Sequence, residues 1–443
     1  MEAKKTSRTQ TCPRGGNDNH NPYQHKRMLS AKTFEIPFSM QVSVQDVAVN
    51  FLLGDYIRGS HFDYLPSLYN TDTSKDVLGP IVGAVGFASL ALHSSRHELQ
   101  DKAQKLYIDA ISHTNTALHR PDAAHNDDIL ASILLLSLYE TLTARSPLSI
   151  GVWAAHIRGA LSLVALRGPA QLESELGMAL FKQLLASVRV FCIQHFIRVP
   201  PQLHELWQMA NCQSNEKEIA YEFSCVVEAF TDLRADRAEG ILTRAEDIIV
   251  TAEGLLQTIE DLCTKLTSDL LYDTVITSKA CPELHAGYYH RFKDHHVAQG
   301  WNTIWMAQIN LHSLIHAQIA QLLSNQSRLD HEEVDLVNRM DKCQEMAVGA
   351  ADNICASVPQ FFPPEDDRPL ASSPPTAAMG YFLIWPLFTA GAGAFTSPRT
   401  KDYIIKRLDF IGTEVKVPQA HAVASMLRDE IDFESSMHIY HVF

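Results

Sequence analysis

Hydrophobic positions between residues 91 and 203 repeat with helical period in four consecutive segments. The first segment carries apolar residues three or four positions apart, which place them on one helix face. These residues are Leu99, Ala103, Leu106, Ala110 and Ile111. The second segment, from Asp127 to Ala144, is apolar on nearly every side, which is typical of a buried central helix. Asn126 or Asp127 is suited to cap it, because its side-chain oxygen can accept from free backbone N–H groups.

The third and fourth segments continue this helical pattern. The third, from about Ile150 to Leu166, buries an apolar face around Trp153, and Gly168-Pro169 ends it. The fourth runs from about Leu176 to Ile197. We predict that these helices pack around Trp153 and the apolar positions from Leu134 to Leu138.

The rest of the chain also favours helices. The run Ile81 to Phe87 has the composition of a buried strand, but Ala84, Ala88 and Ala91 favour a helix. Helical faces follow from Ile241 to Ile259, from Trp301 to Leu322, and from Val337 to Ile354, where Pro359 ends the last one. Residues 265–298 are irregular and rich in His. With strand alternation and hairpin signals nearly absent, the sequence predicts an all-α fold, a large irregular multi-helix array.

One uncharged stretch, residues 369–398, is apolar enough to suggest a membrane span. A span needs about 20 predominantly apolar residues. Pro386 interrupts the middle of this stretch, and a polar Ser-Pro-Thr segment occupies its start. We therefore favour a buried core helix and expect no membrane association.

Charge is distributed unevenly along the chain. The net formal charge is −14, but the first 32 residues carry seven Lys and Arg against two acids, a net of +5. We interpret residues 1–40 as a disordered basic arm, compatible with a nuclear address, and residues 41–443 as one helical domain. The acidic body argues against nucleic-acid binding by most of the chain, because phosphate contacts need clustered Lys and Arg.

The eight cysteines lack the spacing of a zinc site. No two are separated by only two residues, so the sequence contains no C-x-x-C pair, and Cys12 is the sole cysteine before Cys192. The N-terminus lacks the apolar core of a signal peptide. These observations favour a reducing intracellular compartment and cysteines that act as small buried apolar residues.

No catalytic motif is present, and we expect no enzymatic activity. The sequence lacks G-x-G-x-x-G, the phosphate-binding loop, G-x-S-x-G and H-E-x-x-H. Asp127-Asp128 could suggest a magnesium-binding terpene cyclase, but Ala131 stands near the position where another acid is required. Acidic side chains at a helix N-terminus, where they face the positive end of the helix dipole, are the better interpretation.

Histidines offer two pairs at i, i+4, which could face one metal together. They are His93 with His97 and His312 with His316. Neither pair has an obvious third ligand, so we expect no metal. A further group lies in the irregular segment, where a solvated loop is the expected setting: His285, His290, His295 and His296.

Two residues of the third helix, Trp153 and His156, could line a small-molecule pocket. The alternative that we favour is that Trp153 belongs to the core and His156 makes one buried hydrogen bond. Arg158 and Arg167 could pair with Glu140 or Glu173 in a structural role. We therefore assign no catalytic, cofactor-binding or metal-binding residues.

A string of residues in this region resembles the fungal-specific transcription factor domain. Tyr107 and Ala110 precede Ala117-Leu118 and are followed, in the order and spacing of that family, by Asp127-x-x-Leu130-Ala131, Leu138-Tyr139-Glu140, Trp153, His156, Gly159-Ala160 and Arg167-Gly168. Phe181 and Pro200-Pro201 extend the agreement. Sparser similarity follows at Trp301-Asn302, at Ile309 to His312, at Ile354 to Pro359 and at Trp385 to Phe388.

The resemblance implies a regulatory domain acting in the nucleus. Its implied partners are proteins of the transcription machinery or a related transcription factor, with a small-molecule effector and a homodimer left open. Such domains usually follow a zinc cluster of six cysteines that places a helix in the major groove. Cys12 alone cannot hold that cluster, so DNA contact is expected to be weak or indirect.

Three alternatives remain open at this point. The chain could antagonise a full-length relative; an upstream exon could encode the zinc cluster; or, less favoured, the protein could be a helical metal-dependent enzyme. The sequence identifies neither the target genes nor whether the protein activates or represses them.

Overall fold

The fold is all-α in the part of the chain that the structure, a computed structural model, describes. That part comprises residues 43–69, 75–94, 96–143, 148–213, 219–277, 283–324, 331–363 and 376–429. The predicted basic arm, residues 1–40, lies outside it. The all-α prediction is confirmed, with 81% helix and one small two-stranded sheet.

Fifteen α-helices and two β-strands make up the described residues. The helices, in chain order, are α1 Val44–Phe51, α2 Leu65–Tyr69, α3 Lys75–Ser94, α4 His97–Leu118, α5 Asp127–Thr143, α6 Leu148–Arg167, α7 Glu175–His195, α8 Pro201–Gln213, α9 Ile219–Ala238, α10 Ala245–Thr264, α11 His295–Ser324, α12 His331–Phe361, α13 Ala377–Ala392, α14 Pro398–Thr413 and α15 Pro418–Arg428. The strands are β1 Tyr272–Ile276 and β2 Tyr288–Phe292.

Helix α5 is the central helix, as its all-round apolar sequence predicts. Nearly every residue from Ile129 to Leu142 is buried, and α3, α4, α6 and α7 pack around it. Asn126 caps the helix, since its Oδ1 accepts from the Asp128 backbone N–H at 2.8 Å. Helix α6 ends at Arg167, where Gly168 adopts a left-handed conformation with φ of 54°.

The run Ile81 to Phe87 is helical, since it lies within α3, so the preferred interpretation of this run is confirmed. It packs against α1, α4 and α5. Gly86 permits the contact with α1, because a Cβ built there would lie 2.8 Å from the carbonyl oxygen of Ala48. A side chain at this position would force the two helices apart.

Three of the described helices contain an internal proline: Pro80 in α3, Pro359 in α12 and Pro386 in α13. For the first two, a side chain of a neighbouring helix approaches the carbonyl that the proline leaves free. Pro80 in α3 has no N–H for the carbonyl of Asp76, and His113 Nδ1 of α4 lies 2.9 Å from that oxygen. Pro359 similarly frees the carbonyl of Cys355, and Tyr403 Oη of α14 lies 3.5 Å from it. Our prediction that Pro359 ends its helix was wrong, because α12 continues to Phe361.

The β-hairpin was not predicted. β1 and β2 pair antiparallel with Tyr272 opposite Phe292 and Ile276 opposite Tyr288. Tyr272 packs with its ring against Trp301 and Trp305 of α11, and the Trp301 Nε1–H donates to the Leu270 carbonyl at 2.8 Å. The hairpin is therefore a packed element, although this segment was expected to be an irregular loop.

Two apolar clusters form the core of the described residues. The larger contains α3, α5, α6 and α7 together with α13 to α15. The smaller lies between α9, α10, α11 and the first half of α12. Helix α11 contributes to both, since Trp305 and Ile309 belong to the larger cluster and Leu311 and Ile315 to the smaller.

Helix α13 is a core helix, which confirms the preferred interpretation of the uncharged stretch. It spans 16 residues with Pro386 inside it, and most of them are buried. Two other segments, Asp76–Ser94 and Glu175–Ile193, are long and apolar enough to cross a membrane by length and composition. Their apolar windows are 67% and 44% buried inside the fold, so the first is mostly buried as a core helix is.

Candidate functional site

Three helices bring polar residues of the signature string into contact. Tyr107 of α4 donates its hydroxyl hydrogen to the Oε1 of Glu140 on α5. The same hydroxyl lies 3.1 Å from the Nε2 of His156 on α6. Tyr139, the neighbour of Glu140, stacks on the Tyr107 ring with centroids 4.1 Å apart. Residues that are 33 and 49 positions from Tyr107 in sequence therefore form one polar cluster.

The directions of these hydrogen bonds define the tautomer of His156. A hydroxyl carries one hydrogen, and that of Tyr107 goes to the carboxylate of Glu140. The Nε2 of His156 must then carry a hydrogen and donate it to the Tyr107 oxygen. Burial lowers the pKa of His156 to about 4, so the ring is neutral at physiological pH. The cluster is a chain of donors that ends on one carboxylate.

Burial also shifts the pKa of the acidic residue in this cluster. It raises the pKa of Glu140, and the hydrogen bond from Tyr107 opposes that shift. The Glu140 carboxylate thus depends on Tyr107 to replace part of the lost hydration. Each member of the cluster is hydrogen-bonded to another member or stacked on it. We therefore interpret the cluster as a set of contacts that hold the helices together.

A second cluster surrounds the buried guanidinium of Arg167, whose side chain is 3% exposed. Its Nη1 lies 2.7 Å from Asp127 Oδ1 and 2.9 Å from Gln171 Oε1. Its Nε and Nη2 donate to the carbonyls of Ala124 and Asn126, the latter at 2.7 Å. One side chain therefore holds the turn that precedes α5 against the C-terminus of α6.

This network extends to α7 and corrects the expected partners of Arg167. Gln171 donates its Nε2–H to the carbonyl of Gly177 at 2.6 Å. Arg167 pairs with Asp127 rather than with Glu140 or Glu173, because α5 runs antiparallel to α6 and places its first residue beside Arg167. The interpretation of Asp127 as a helix N-terminal acid is consistent with this position.

An open depression lies beside the Arg167 network, with a volume of about 390 Å³. Its lining residues are Leu68, Asp122, His125, Asn126, Asp127, Asp128 and Leu176. Three of them are acids, so its charge suits a cation better than an anion. It lies apart from Trp153 and His156, the residues that we considered for a small-molecule pocket.

The preferred interpretation of those two residues agrees with their positions. Trp153 is buried in the larger cluster with its ring 5.5 Å from that of Phe191. His156 makes its hydrogen bond to Tyr107 of α4. They therefore contribute to packing and to the polar cluster, respectively.

Neither histidine pair forms a metal site. His93 and His97 lie on different helices, because α3 ends at Ser94 and α4 begins at His97. His312 is buried, and His316 packs against the ring of Phe395. Within the described ranges, no group of three or more His, Cys, Asp or Glu is arranged to hold a metal ion.

The prediction of a solvated loop was wrong for the four remaining histidines, and two of them, His295 and His296, lie in the first turn of α11. The His285 side chain is 7% exposed, with its Nε2 2.9 Å from Asp352 Oδ1. His290 is buried on β2, between Thr274 Oγ1 and Asn353 Oδ1, at 3.1 Å from each. Both attach the hairpin to α12, which explains their burial.

Sequence reasoning missed a further charged cluster, between α7, α8 and α9. Glu228 is buried and accepts from Arg189 Nε at 3.1 Å, while its Oε2 lies 2.5 Å from His204 Nδ1. The Arg189 guanidinium also lies over the ring of Trp207. No short-range spacing relates residues 189, 204 and 228, so local patterns could not have indicated this cluster.

Comparison with known proteins agrees with this architecture. Residues 68–429 match the family described as the fungal specific transcription factor domain. No curated protein and no solved structure matches the chain. The family match covers the clusters around Tyr107 and Arg167, the hairpin, the smaller apolar cluster and most of the larger one.

The chain belongs to the fungal-specific transcription factor domain family. The family is one of transcription regulators and is generally non-enzymatic. Its signature residues in this chain, among them Tyr107, Glu140, His156 and Arg167, make the contacts between helices α4 to α7.

Proposed function

We propose that this protein regulates transcription in the nucleus by presenting its helical domain to other proteins. The partners that we propose are components of the transcription machinery or a related transcription factor. The observation that carries the proposal is the family match over residues 68–429. It is supported by the signature residues, which connect helices instead of forming a reactive centre.

We further propose that the domain itself binds DNA weakly or contacts it only through a partner protein. Residues 33–443 carry a net formal charge of −19, which repels phosphate. An electrophoretic shift assay with the purified full chain tests this point. We expect weak binding that salt abolishes and that shows no preference among sequences. Tight, sequence-specific binding would contradict it.

Transcript profiling tests the regulatory role in cells. A strain that lacks the gene should show a reproducible set of altered transcripts, and expression of the full chain should restore them. A strain expressing the chain with Arg167→Met, which removes the buried network, should resemble the deletion. An unchanged transcriptome in the deletion strain would sink the proposal.

A second candidate is an antagonist of a full-length relative. We base this candidate on one observation, that residues 1–191 contain Cys12 alone. An antagonist should alter transcripts only while the relative is present. Deleting both genes therefore separates the two candidates: if the altered set disappears in the double deletion, the protein acts through the relative.

A further inference from the structure

The hairpin has one covered edge and one open edge. β2 packs against α12, and the backbone N–H of Phe292 donates to Gln360 Oε1 at 3.1 Å. On β1, Asp273, Thr274 and Ile276 are exposed. In the part of the chain that the structure describes, no strand pairs with β1 on the side away from β2, so β1 is an edge strand there.

The pairing register identifies the free backbone groups of β1. Thr277 N–H donates to the Gly287 carbonyl at 2.9 Å, so residues 277 and 287 form a hydrogen-bonded pair. Such pairs alternate along an antiparallel ladder. The N–H and C=O groups of Tyr272, Thr274 and Ile276 therefore point away from β2. Among the described residues, no hydrogen bond to these six groups is formed.

The edge has little of the usual protection against pairing. Edge strands are normally blunted by charged side chains, Pro, a bulge or a covering element, and β1 carries a single exposed charge, Asp273. β1 has the sequence Tyr-Asp-Thr-Val-Ile, and its pairing with β2 is regular over all five residues. Ile276 is 84% exposed, and Leu271, just before the strand, is 46% exposed. The edge therefore combines unpaired backbone with exposed apolar side chains.

We propose that β1 pairs with β1 of a second copy of this chain. The two strands run antiparallel about a twofold axis at Thr274, and the two hairpins join into a four-stranded sheet. Thr274 stands opposite Thr274 of the second copy, and Tyr272 stands opposite its Ile276. In this register, all six outward backbone groups of each copy can form hydrogen bonds. This is because Thr274 pairs with Thr274, and Tyr272 pairs with Ile276, of the second copy.

Side-chain chemistry favours a second copy in this register. Tyr opposite Ile and Thr opposite Thr are favourable cross-strand pairs. Asp273 stands opposite Val275 of the second copy, so the acids do not face each other. Centring the axis on Asp273 would oppose two like charges and leave Ile276 unpaired. Centring it on Val275 would leave Tyr272 without its apolar partner.

This interface goes beyond the proposed function. Self-association through β1 stands whether or not the chain acts in transcription, and its tests read only the mass of the particle. Failure of one proposal therefore does not imply failure of the other.

Sedimentation of the full chain over a range of micromolar concentrations tests the interface. We expect a monomer–dimer equilibrium that Thr274→Pro weakens at least about tenfold, which corresponds to about 1.4 kcal/mol. Proline is tolerated on an edge strand where its missing N–H faces solvent. The hairpin should therefore stay folded while the central bonds between copies are lost. Thr274→Ala is the matched control, since it keeps the backbone N–H, and it should weaken dimerisation much less than Thr274→Pro does.

Disulfide trapping tests the register and does not depend on the proline variant. Hydrogen-bonded antiparallel pairs have Cα atoms about 5.5 Å apart, within the range of a disulfide. Thr274→Cys should therefore cross-link two copies under mild oxidation, with the linked peptides identified by mass spectrometry. Asp273→Cys, whose position faces Val275, should cross-link much less.

Three results would overturn the proposal. The chain could remain monomeric at the highest concentration, which would also be the result if β1 receives a strand from a different protein. Thr274→Pro and Thr274→Ala could dimerise equally. Asp273→Cys could cross-link as efficiently as Thr274→Cys.

Discussion

At the scale of single residues, Tyr107 connects two titratable side chains from different helices. It donates to Glu140 and accepts from His156, and its ring stacks on Tyr139. The sequence predicted one buried hydrogen bond for His156 but not its partner. The partner lies 49 positions away, and the packing of α4 and α6 against α5 brings the two together.

Removal of the Tyr107 hydroxyl should destabilise the fold. In Tyr107→Phe, the half-buried Glu140 carboxylate loses its donor and His156 loses its acceptor. We expect the free energy of unfolding to fall by about 1–3 kcal/mol, measured by urea denaturation. Tyr289→Phe is the matched control, because that hydroxyl accepts from exposed Arg291 on the hairpin. Equal losses in the two variants would contradict a connecting role for Tyr107.

The lowered pKa of His156 makes stability depend on pH. A histidine binds its proton less tightly in the folded state when its folded pKa is about 4 and its unfolded value is 6.5. Its contribution to stability is therefore complete above pH 6.5 and is lost as the pH falls towards 4. His312, whose pKa burial also lowers to about 4, acts in the same window and direction.

His156→Gln should reduce this pH dependence. Glutamine keeps an N–H donor for Tyr107 and does not titrate in this range. We expect the urea midpoint of the variant to fall less between pH 7 and pH 5 than that of the unmodified chain. His312→Gln should give a similar partial reduction. If His156→Gln loses stability as steeply as the unmodified chain, the assignment of a neutral, buried His156 is wrong.

Arg167, which pairs with one acid, should matter far more than an exposed arginine that pairs with two. Arg167→Met leaves the carbonyls of Ala124 and Asn126 without their donor and should cost about 3 kcal/mol or more in the free energy of unfolding. Arg198, which pairs with Asp236 and Glu239 at the surface, is the control. Arg198→Met should cost at most about 1 kcal/mol. Similar thermal midpoints for the two variants would be evidence against the buried network.

At the scale of helices and strands, the elements with strong local signals were predictable. Asn126 and the apolar run that follows gave α5, and the alanines beside Ile81 to Phe87 gave α3. The hairpin was missed because its contacts join Tyr272 to Trp301 and His290 to Asn353, which are far apart in sequence. Likewise, Pro359 reads as a helix end because Tyr403, which approaches the freed carbonyl, lies 44 positions later.

The proline in α3 gives a test at this scale. His113→Ala should cost about 0.5–1.5 kcal/mol, since it removes the partner of the Asp76 carbonyl that Pro80 leaves free. In a Pro80→Ala background, the backbone N–H of residue 80 can bond that carbonyl, so the same change should cost less. A double-mutant cycle by urea denaturation measures the difference. Additive effects would show that His113 does not compensate for the proline.

At the scale of the whole molecule, the family signature and the core coincide. The residues that define the resemblance lie at the contacts of α4 to α7, and the larger apolar cluster extends from there to α13, α14 and α15. The sequence therefore predicted the fold class and the family, while the charged cluster around Glu228 and the open edge of β1 required three dimensions. Much of the signature therefore lies in the interior of the domain, and we propose that partners bind the outer faces of its helices and the edge of β1.

A tethered reporter assay tests the regulatory role most directly. The full chain is fused to an unrelated DNA-binding domain and placed upstream of reporters that detect activation and repression. We predict a several-fold change in reporter expression that Arg167→Met abolishes and Arg198→Met preserves, with protein levels measured for each. If the fusion is present in the nucleus and changes neither reporter, the account of this protein as a transcription regulator is contradicted.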